Sequence, residues 1–296
     1  MSSERYAPAT LRDLIAVHAI VRVGRLNRFT LVRVLRRAIV RSLTRERNEV
    51  LVSTPYGFNI QVPSGDLRLM ESTLQGVLFE TSVGSALQRV LRPGDVLLDG
   101  GAHVGLYTIL GALSVGSLGK VIAFEPHPTN IESLKRNVEL NRLGLGVVIE
   151  QMALTSQCGT ANFHWSPSLT THGRLLGDPA SDSNVTPVRT VAFDEYLLDK
   201  GGQVDVIKLD LEGGEFQALQ GMSRTVSRAR CLILEVNDPR LREQELEPQW
   251  FVNWAMRLGG FERSVVLPIE GDSAASMDVL PLELTKFGFT NVMFSR

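Results

Sequence analysis

VLLDGGAHVGLYTIL, residues 96–110, passes from an apolar run through an acid into a glycine-rich turn. The first five residues have the length and composition of a buried β-strand, and the last five are apolar enough to begin a buried helix. Gly100, Gly101 and Gly105 lie between them, and glycine tolerates the tight backbone that such a junction needs. The stretch therefore predicts a strand, a sharp turn and the start of a helix, an arrangement that holds a nucleotide-like cofactor in many α/β folds.

The alternation of strand and helix patterns continues along the chain. Apolar runs of strand length cover 96–100, 120–126, 147–154, 204–210, 231–236 and 290–295, and helical patterns fall around 105–115, 128–141, 191–200, 214–226 and 248–259. Near-continuous apolar strands that alternate with helices indicate a mostly parallel sheet covered on both faces. The sequence therefore predicts an α/β, doubly wound fold, in which ligands bind outside the carboxyl ends of the strands.

Two further segments carry weaker patterns. STPYGFNIQVP, residues 53–63, predicts a short pair of strands with a turn at Tyr56-Gly57. The long polar stretch 155–187 is poor in regular signals. It predicts a loop or a small insertion near the site.

The amino-terminal part of the chain differs from the rest in charge. Residues 1–50 contain eleven Arg, no Lys and four acidic residues, whereas the net charge of the whole chain is −1. The segment 30–43 predicts an amphipathic helix with Arg33, Arg37 and Arg41 along one face. Residues 1–50, here called the Arg-rich head, are basic, whereas the rest of the chain, here called the body, is acidic. This contrast suggests a separate role for the head. The predicted division is an Arg-rich helical extension, residues 1–50, and a main domain, residues 51–296.

The remaining composition is that of an ordinary globular protein. Hydrophobic residues make up 44% and charged residues 21% of the chain, and a net charge near zero gives no bulk attraction to nucleic acid. Cys158 and Cys231 lie far apart and lack metal-ligand spacing, so a reducing compartment is expected. The longest early apolar run, residues 14–21, is too short to span a bilayer, and no cleavage site follows it. These features predict a cytoplasmic protein with no nucleic-acid partner.

The glycine turn alone leaves three interpretations open. In the first, the glycines serve only the turn. In the second, they bind a dinucleotide, but Ala102 replaces the second glycine of that fingerprint, and a carboxylate at Asp99 repels a pyrophosphate. In the third, residues 99–105 fit the pattern D-x-G-A-x-x-G and bind S-adenosylmethionine, which has no phosphate and carries an ammonium and a sulfonium. The acid favours the third interpretation.

Acids at the ends of two further strands support a cationic cofactor. Glu125 ends the second strand, where a carboxylate accepts hydrogen bonds from both ribose hydroxyls of S-adenosylmethionine or of NAD. Asp210 ends the fourth strand and is followed by Glu212 and Glu215. Together with Asp99, these acids are expected on one rim of the sheet, where they disfavour phosphates. Stabilisation of a helix N-terminus is the alternative, and it suits Glu212 and Glu215 better than Asp210.

Three blocks of the sequence together resemble the FkbM-type family of class I S-adenosylmethionine-dependent methyltransferases. The blocks are PGDVLLDGGAHVGLYT, AFEPHPTNIESLKRNVELN and VIKLDLEGGEFQAL, and the resemblance covers about residues 75–240. It implies a seven-stranded Rossmann-like methyltransferase sheet in the main domain, with S-adenosylmethionine as the cofactor. It also implies O-methylation of a hydroxyl on a sugar, glycolipid or polyketide-like small molecule.

The resemblance further implies a set of cofactor contacts. The glycine turn would line the methionine end of the cofactor, an acid would take the ribose, and the residues after the third strand would meet the adenine. The implied cofactor-binding residues are Glu80, Asp99, Gly101, Ala102, His103, Gly105, Glu125, Pro126, Met152 and Ala153. His103 stands where the family has Asn, and Met152 stands where a polar residue more often meets adenine.

Methyl transfer to an alcohol needs a base, because a hydroxyl is a poor nucleophile until it loses its proton. Asp210 is the predicted base, Glu212 is the second candidate, and His164 and His172 are the alternatives. Lys208 lies two residues before Asp210 on the same strand face, where we expect it to pair with a neighbouring carboxylate.

No metal is predicted, although one metal-assisted alternative stays open. In that alternative, Asp210 and the segment EVND, with Glu235, Asn237 and Asp238, hold Mg²⁺ through oxygen ligands.

Two other functions also stay open. One alternative is a non-catalytic scaffold that docks a partner through the Arg-rich head. The other is an NAD-dependent dehydrogenase. For residues 1–50 there are two expectations. Either the arginines bind an anionic, peripheral membrane surface, or the apolar face packs on the acidic body or on a second subunit. The predicted location is cytoplasmic, with membrane association in the first case.

Overall fold

The computed structural model describes residues 49–54, 56–63, 81–166, 169–175, 184–267 and 288–296. The chain forms two compact units, Met1–Phe79 and Glu80–Arg296. In the first unit, β1 (Glu49–Ser53) and β2 (Asn59–Pro63) form an antiparallel hairpin around the predicted turn, although the first strand begins before the predicted range 53–63. The helical patterns predicted before residue 49 lie outside the described residues, and the domain boundary after residue 50 stays a prediction.

In the second unit, helices and strands alternate as the sequence predicts. Its elements are α1 (Thr81–Val90), β3 (Val96–Gly100), α2 (Leu106–Val115), a 3₁₀ turn (Gly116–Leu118), β4 (Lys120–Phe124), α3 (Pro128–Leu140), β5 (Val147–Glu150), β6 (Ala153–Leu154), β7 (Gly159–Ser166), β8 (Leu169–Arg174), β9 (Asn184–Val191), α4 (Phe193–Lys200), β10 (Val206–Leu209), α5 (Glu215–Gln220), α6 (Ser223–Val226), β11 (Cys231–Asn237), α7 (Asp238–Glu243), α8 (Pro248–Gly259), β12 (Arg263–Leu267) and β13 (Phe289–Ser295). None of the described helices is both long and apolar enough to cross a membrane.

The central sheet has seven strands in the order β12-β13-β11-β10-β3-β4-β5. All neighbours are parallel except those of β13, which is antiparallel to both β11 and β12. From β3 the chain steps to β4 and β5 on one side, whereas β10 and β11 lie on the other side. The strand order therefore reverses between β3 and β10, which is the switch point where doubly wound sheets bind ligands. This confirms the predicted Rossmann-like fold.

The strands on each side of the switch point lie in the core. Every residue of β10 is buried, and β11 is buried except at Asn237. Burial on both faces explains why these strands appear in the sequence as continuous apolar runs. At β4, the ring of Phe124 meets Phe193 edge to face at 5.8 Å and Tyr196 at 5.3 Å, which fixes α4 against the sheet.

The described part of the stretch 155–187 is mostly β-strand, so of the two expectations, a loop or a small insertion, the structure supports the insertion. Strands β6, β9, β7 and β8 form a four-stranded sheet in that order. Its small core consists of Ala153, Phe163 and Val188. Outside that core, most residues of β7 and β9 whose burial is described are exposed or half-buried, and many of them are polar. A search for continuous apolar runs therefore misses them, although NVTPVRTV at β9 has the β-branched alternation of a half-buried strand.

Two smaller differences concern the carboxyl-terminal half of the chain. The predicted helix 214–226 is divided into α5 and α6. The second piece has its own cap, because Asp194 accepts hydrogen bonds from Arg224 N at 2.8 Å and Thr225 N at 2.9 Å. Strand β12, with the sequence RSVVL, was absent from the predicted elements.

Candidate active site

The carboxyl ends of β3 and β10 lie side by side at the switch point of the sheet. In the strand register, Asp99 pairs with Lys208 and Gly100 pairs with Leu209. Beyond β10, Asp210 N donates a hydrogen bond to Gly100 O at 3.1 Å, so the pairing continues for one more residue. The turn after β3 and the turn after β10 therefore start next to each other.

The turn after β3 has the left-handed backbone that its glycines predict. Gly101 has a φ of +73° and Gly105 a φ of +98°, and His103 adopts a φ of +53° between them. The N–H groups of Gly101 and Ala102 both donate to Phe124 O, at the end of β4, at 3.0 Å. These hydrogen bonds fix the turn to the neighbouring strand and hold the predicted turn residues together.

Gly101 is the point where the two turns touch. A Cβ atom on Gly101 would stand 1.8 Å from Asp210 O, so no side chain fits there. The close approach of the two main chains therefore explains this glycine whether or not a cofactor also needs it.

Lys208 places a buried ammonium group among the acids of this rim. Its Nζ donates to Gly101 O at 3.1 Å and lies 3.5 Å from Asp99 Oδ1 and 3.7 Å from Asp210 Oδ2. The expected pairing of Lys208 with a neighbouring carboxylate is confirmed, and it involves two carboxylates. The acidity that the sequence suggested is therefore partly neutralised at this point of the rim.

Asp99 lies inside the protein. Its side chain is fully buried, and its Oδ2 accepts a hydrogen bond from Thr108 Oγ1 of α2 at 2.6 Å. Its Oδ1 accepts no hydrogen bond from the residues that the structure describes. The carboxylate thus holds Lys208 and Thr108 close to the turn. Direct contact between Asp99 and a cofactor stays a prediction.

Glu125 stands at the end of β4, beside the glycine turn. Its Oε2 accepts a hydrogen bond from His103 N at 2.7 Å, and its Oε1 accepts one from His127 N at 2.9 Å. Burial raises the pKa of Glu125 to about 7, although these two N–H groups and the charge of Lys208 favour the ionised form. The Asn130 side chain also donates to this carboxylate, so of its about four lone-pair sites one stays available for a hydroxyl group.

His127 was not predicted as part of this site. Its Nδ1 accepts hydrogen bonds from Thr129 N at 3.1 Å and Asn130 N at 3.4 Å, so it caps α3. Burial lowers the pKa of His127 to about 4, which keeps the imidazole neutral. Its ring lies 4.8 Å from the Trp165 ring of the inserted sheet. The signal in the sequence was the proline at the first helical position after it.

The predicted adenine contacts lie at the same edge of the sheet. Met152 and Ala153 follow β5, which pairs with β4, and both are buried. Met152 joins the main core, and Ala153 joins the core of the inserted sheet. They offer apolar atoms only, and their role stays a prediction, as does that of Pro126. Glu80 lies outside the described residues.

The two candidate bases differ in backbone conformation. Asp210 follows β10 directly, and its side chain is 28% exposed. Glu212 lies two residues further on, in a left-handed conformation with a φ of +53°. Among the alternatives, His164 lies on β7 of the inserted sheet, where its neighbour Trp165 packs against His127, and the side chain of His172 is outside the described residues.

Three carboxyl groups come together near the turn that follows β10. Asp210, Glu215 and Glu235 each have one oxygen within 4.8 Å of the others. Of the residues in the alternative magnesium site, Asn237 instead accepts a hydrogen bond from Arg240 N and caps α7. Asp238 pairs with Arg242 at 2.6 Å. The described residues therefore bring together only part of the set that the sequence suggested.

Residues 99–263 match the Methyltransferase FkbM domain, and this match covers more than half of the chain. The chain belongs to the FkbM methyltransferase family. This confirms the predicted resemblance, and with it S-adenosylmethionine as the cofactor. The match begins at Asp99, the first residue of the glycine-turn pattern.

Two curated relatives illustrate the range of this family. The chain is 28% identical to the hexuronic acid methyltransferase AglP of Haloferax volcanii, over 49% of this chain and 59% of that protein. It is 25% identical to the 31-O-demethyl-FK506 methyltransferase FkbM of Streptomyces tacrolimicus, over 50% of this chain and 67% of that protein. The chain thus spans about three fifths to two thirds of the length of these relatives.

Solved structures are more distant. A putative rRNA methylase of Clostridium thermocellum is 13% identical, with 73% of this chain and 93% of that chain covered and a TM-score of 0.42. Fibrillarin of Aeropyrum pernix, solved with S-adenosylmethionine, is 14% identical, with 73% and 74% covered and a TM-score of 0.42.

The contact between the two turns predicts the effect of replacing Gly101 by alanine in this FkbM-family protein. Gly101→Ala should destabilise the fold by more than Gly260→Ala. Both glycines have a positive φ, and a left-handed backbone costs alanine about 1–2 kcal/mol, but a Cβ on Gly260 stands 3.6 Å from the guanidinium end of Arg296, which is an ordinary contact. Urea unfolding of the two variants measures the difference. Equal losses of stability would show that the turns can separate at no cost.

The raised pKa of Glu125 predicts that cofactor affinity depends on pH. The ionised carboxylate accepts hydroxyl hydrogen bonds better than the acid does, so affinity for S-adenosylhomocysteine should rise with pH through about 7. Between pH 6 and pH 8 the gain should reach about tenfold, because one pKa unit changes the ionised fraction about tenfold at the acidic end. Isothermal titration calorimetry measures the affinity.

Glu125→Gln provides the control for this pH dependence. The amide does not ionise, so its affinity should be low and flat across the same range. A wild-type affinity that does not change between pH 6 and pH 8 would contradict a role for Glu125 in ribose binding.

Proposed function

We propose that this FkbM-family protein is an S-adenosylmethionine-dependent O-methyltransferase that acts on a hydroxyl of a sugar, glycolipid or polyketide-like small molecule. The observation that carries the proposal is the family match, which begins at the glycine turn and includes the turn after β10. By their names, the relatives act on a hexuronic acid and on a demethylated FK506, a sugar acid and a polyketide.

The residues around the glycine turn fit the cofactor. Glu125 has acceptor capacity for a ribose hydroxyl, and the two carboxylates Asp99 and Asp210 exceed the single positive charge of Lys208 between them, which leaves negative charge for a cationic ligand. The apolar Met152 and Ala153 suit the face of an adenine ring. When bound, S-adenosylmethionine would supply an electrophilic methyl group on its sulfonium for transfer to the acceptor hydroxyl.

We infer that Asp210 accepts the proton of the acceptor hydroxyl. A base must reach the substrate, and the partial exposure of Asp210 distinguishes it from the fully buried Asp99. The Lys208 ammonium at 3.7 Å orients the Asp210 carboxylate and stabilises its charge before the reaction. Glu212 is the second candidate for the same step.

A direct test combines cofactor binding and methyl transfer. Calorimetry should show binding of S-adenosylhomocysteine and little binding of NAD or NADP. Labelled S-adenosylmethionine should then label one member of a panel of glucuronides, neutral glycosides and hydroxylated macrolactones, detected by mass spectrometry. Tight binding of NAD would support the dehydrogenase alternative. Cofactor binding without transfer to this panel or to a cell extract would support the non-catalytic scaffold.

The role of Asp210 predicts a separation of binding from turnover. Asp210→Asn should bind S-adenosylhomocysteine normally and lose about 10²–10⁴-fold in kcat, because an amide cannot accept the proton. Asp205→Asn is a matched control. Asp205 precedes the same strand at its opposite end, and its side chain is 29% exposed, close to the 28% of Asp210.

Two results would move the base away from Asp210. Full activity of Asp210→Asn with an unchanged pH profile would direct the search to Glu212, His164 and His172. Activity that is lost with a chelator and restored by Mg²⁺ would instead favour the metal-assisted alternative.

The role of the Arg-rich head stays a prediction, because residues 1–48 lie outside the described residues. If residues 30–43 bind an anionic membrane, the protein should sediment with anionic liposomes at low salt and be released at 1 M salt, where charges are screened within about 3 Å. If the helix packs on the body or on a second subunit, no lipid-dependent sedimentation should occur. Neutral liposomes serve as the control.

A further inference from the structure

Glu215 is a buried acid at the start of α5, and both of its carboxyl oxygens face the turn that follows β10. Oε1 accepts a hydrogen bond from Leu211 N at 2.5 Å, and Oε2 accepts one from Gly213 N at 3.1 Å. The side chain is almost completely inaccessible to solvent. One carboxyl group therefore holds two main-chain N–H groups within the three residues after Asp210.

The turn needs such support because its backbone is unfavourable. Glu212 and Gly213 have φ values of +53° and +103°, and a left-handed conformation costs a residue with a side chain about 1–2 kcal/mol. A second contact holds the turn from the other side. Gln244 Nε2 of the segment after α7 donates to Gly213 O at 2.8 Å, and Gln217 Nε2 donates to Gln244 Oε1 at 2.8 Å.

The same turn is fixed at its beginning. Asp210 N donates to Gly100 O at 3.1 Å, which ties Asp210 to the end of β3. Along the chain, the main-chain hydrogen bond of Asp210 to β3 fixes the start of the turn, and the two hydrogen bonds to Glu215 fix the residues that follow it. A shift of Leu211 or Gly213 would turn the Asp210 side chain away from its position.

The charges around Glu215 explain how a second acid can lie so close to a base. Asp210 and Glu235 each have an oxygen within 4.8 Å of one of its oxygens, Glu212 lies in the same turn, and Lys208 is paired with Asp210. Burial is the largest cause that raises the pKa of Glu215 to about 8, and the charges of Asp210 and Glu212 contribute to the rise, whereas the N–H group of Leu211 favours the ionised carboxylate. The main-chain N–H groups that face Glu215 and the ammonium of Lys208 beside Asp210 therefore offset the repulsion between these acids.

We propose that Glu215 is the positioning residue of the candidate base: through Leu211 N and Gly213 N it holds the turn after β10 and so fixes the Asp210 carboxylate. This inference rests on the proposed function, because it assigns to Glu215 a part in the same proton transfer. Glu215 acts through the turn and does not itself touch the acceptor.

Hydrogen–deuterium exchange tests the hydrogen bonds without any acceptor. In Glu215→Gln, one of the two acceptor atoms is replaced by an amide NH₂, so the amides of Leu211 and Gly213 should exchange faster than in the wild type. Glu215→Ala should give a larger effect if it folds. Glu195→Gln is the matched control, since Glu195 is an exposed acid in the first turn of α4.

Kinetics test the positioning role. Glu215→Gln should lower kcat by up to about 100-fold, the effect of a displacement of about 1 Å at a reacting group. The KM for S-adenosylmethionine and the affinity for S-adenosylhomocysteine should stay within about twofold of the wild type. Glu195→Gln should leave kcat, KM and exchange unchanged. A merely structural role would lower stability and cofactor affinity together and would not produce this separation.

Three outcomes would overturn the proposal: unchanged exchange of the two amides, an unchanged kcat, or a loss of cofactor affinity in proportion to the loss of kcat. Failure of the proposed function is distinguishable. In that case the wild-type protein transfers no methyl group, while Glu215→Gln still exposes both amides to exchange.

Discussion

The ammonium group of Lys208 lies between two carboxylates at the switch point of the sheet, and the arrangement of the site depends on this interaction. Asp99 ends one strand and Asp210 follows its neighbour, and two acids so close together repel each other unless a cation lies between them. The parallel register pairs Lys208 directly with Asp99. A buried charge needs such partners, because an isolated ion loses several kcal/mol of hydration free energy in the interior.

The Lys208 interaction also joins the two turns that build the site. The same ammonium donates to Gly101 O, and the Tyr107 ring of α2 lies 5.3 Å from it. Because Gly101 also touches the main chain of Asp210, charge pairing and main-chain packing act at the same place. The rim is therefore rigid, because backbone groups rather than flexible side chains set the positions of the acids. Such preorganisation is what a transfer reaction with strict alignment requires.

Most of the sheet could be predicted from the sequence because its strands are buried on both faces. Their apolar runs are visible without knowledge of their neighbours, as in VDVIKLD before Asp210. The acids at the strand ends were found for the same reason, since each interrupts such a run. Strands β7, β8 and β9 were missed because their sheet has only a small core around Phe163, and most described residues of β7 and β9 are not buried.

The contacts between site residues could not be predicted, because they depend on distances between separate segments. Lys208 was expected to pair with a carboxylate, but nothing in the sequence told which one. Glu215 fitted the general description of an acid in the first turn of a helix, where it would stabilise the dipole. The structure gives it a more specific task, because its two oxygens face N–H groups of the preceding turn. The local sequence shows that position 215 is an acid at the start of a helix, whereas its hydrogen-bond partners are known only from the folded chain.

The inserted sheet explains why the cofactor was easier to infer than the acceptor. On one side, its Trp165 packs against His127, which donates a main-chain hydrogen bond to Glu125, the predicted ribose-binding residue. On the other side, its Arg174 lies 3.5 Å from Glu243 of α7. The insertion therefore contacts elements next to both the cofactor turn and the turn of the candidate base. The cofactor motifs are main-chain turns whose glycines are dictated by geometry, but the insertion consists of polar strands that accept many side chains. The contacts described for Lys208, Asp99 and Glu215 do not involve these strands, so we predict that changes in the insertion affect the choice of acceptor more than the binding of the cofactor.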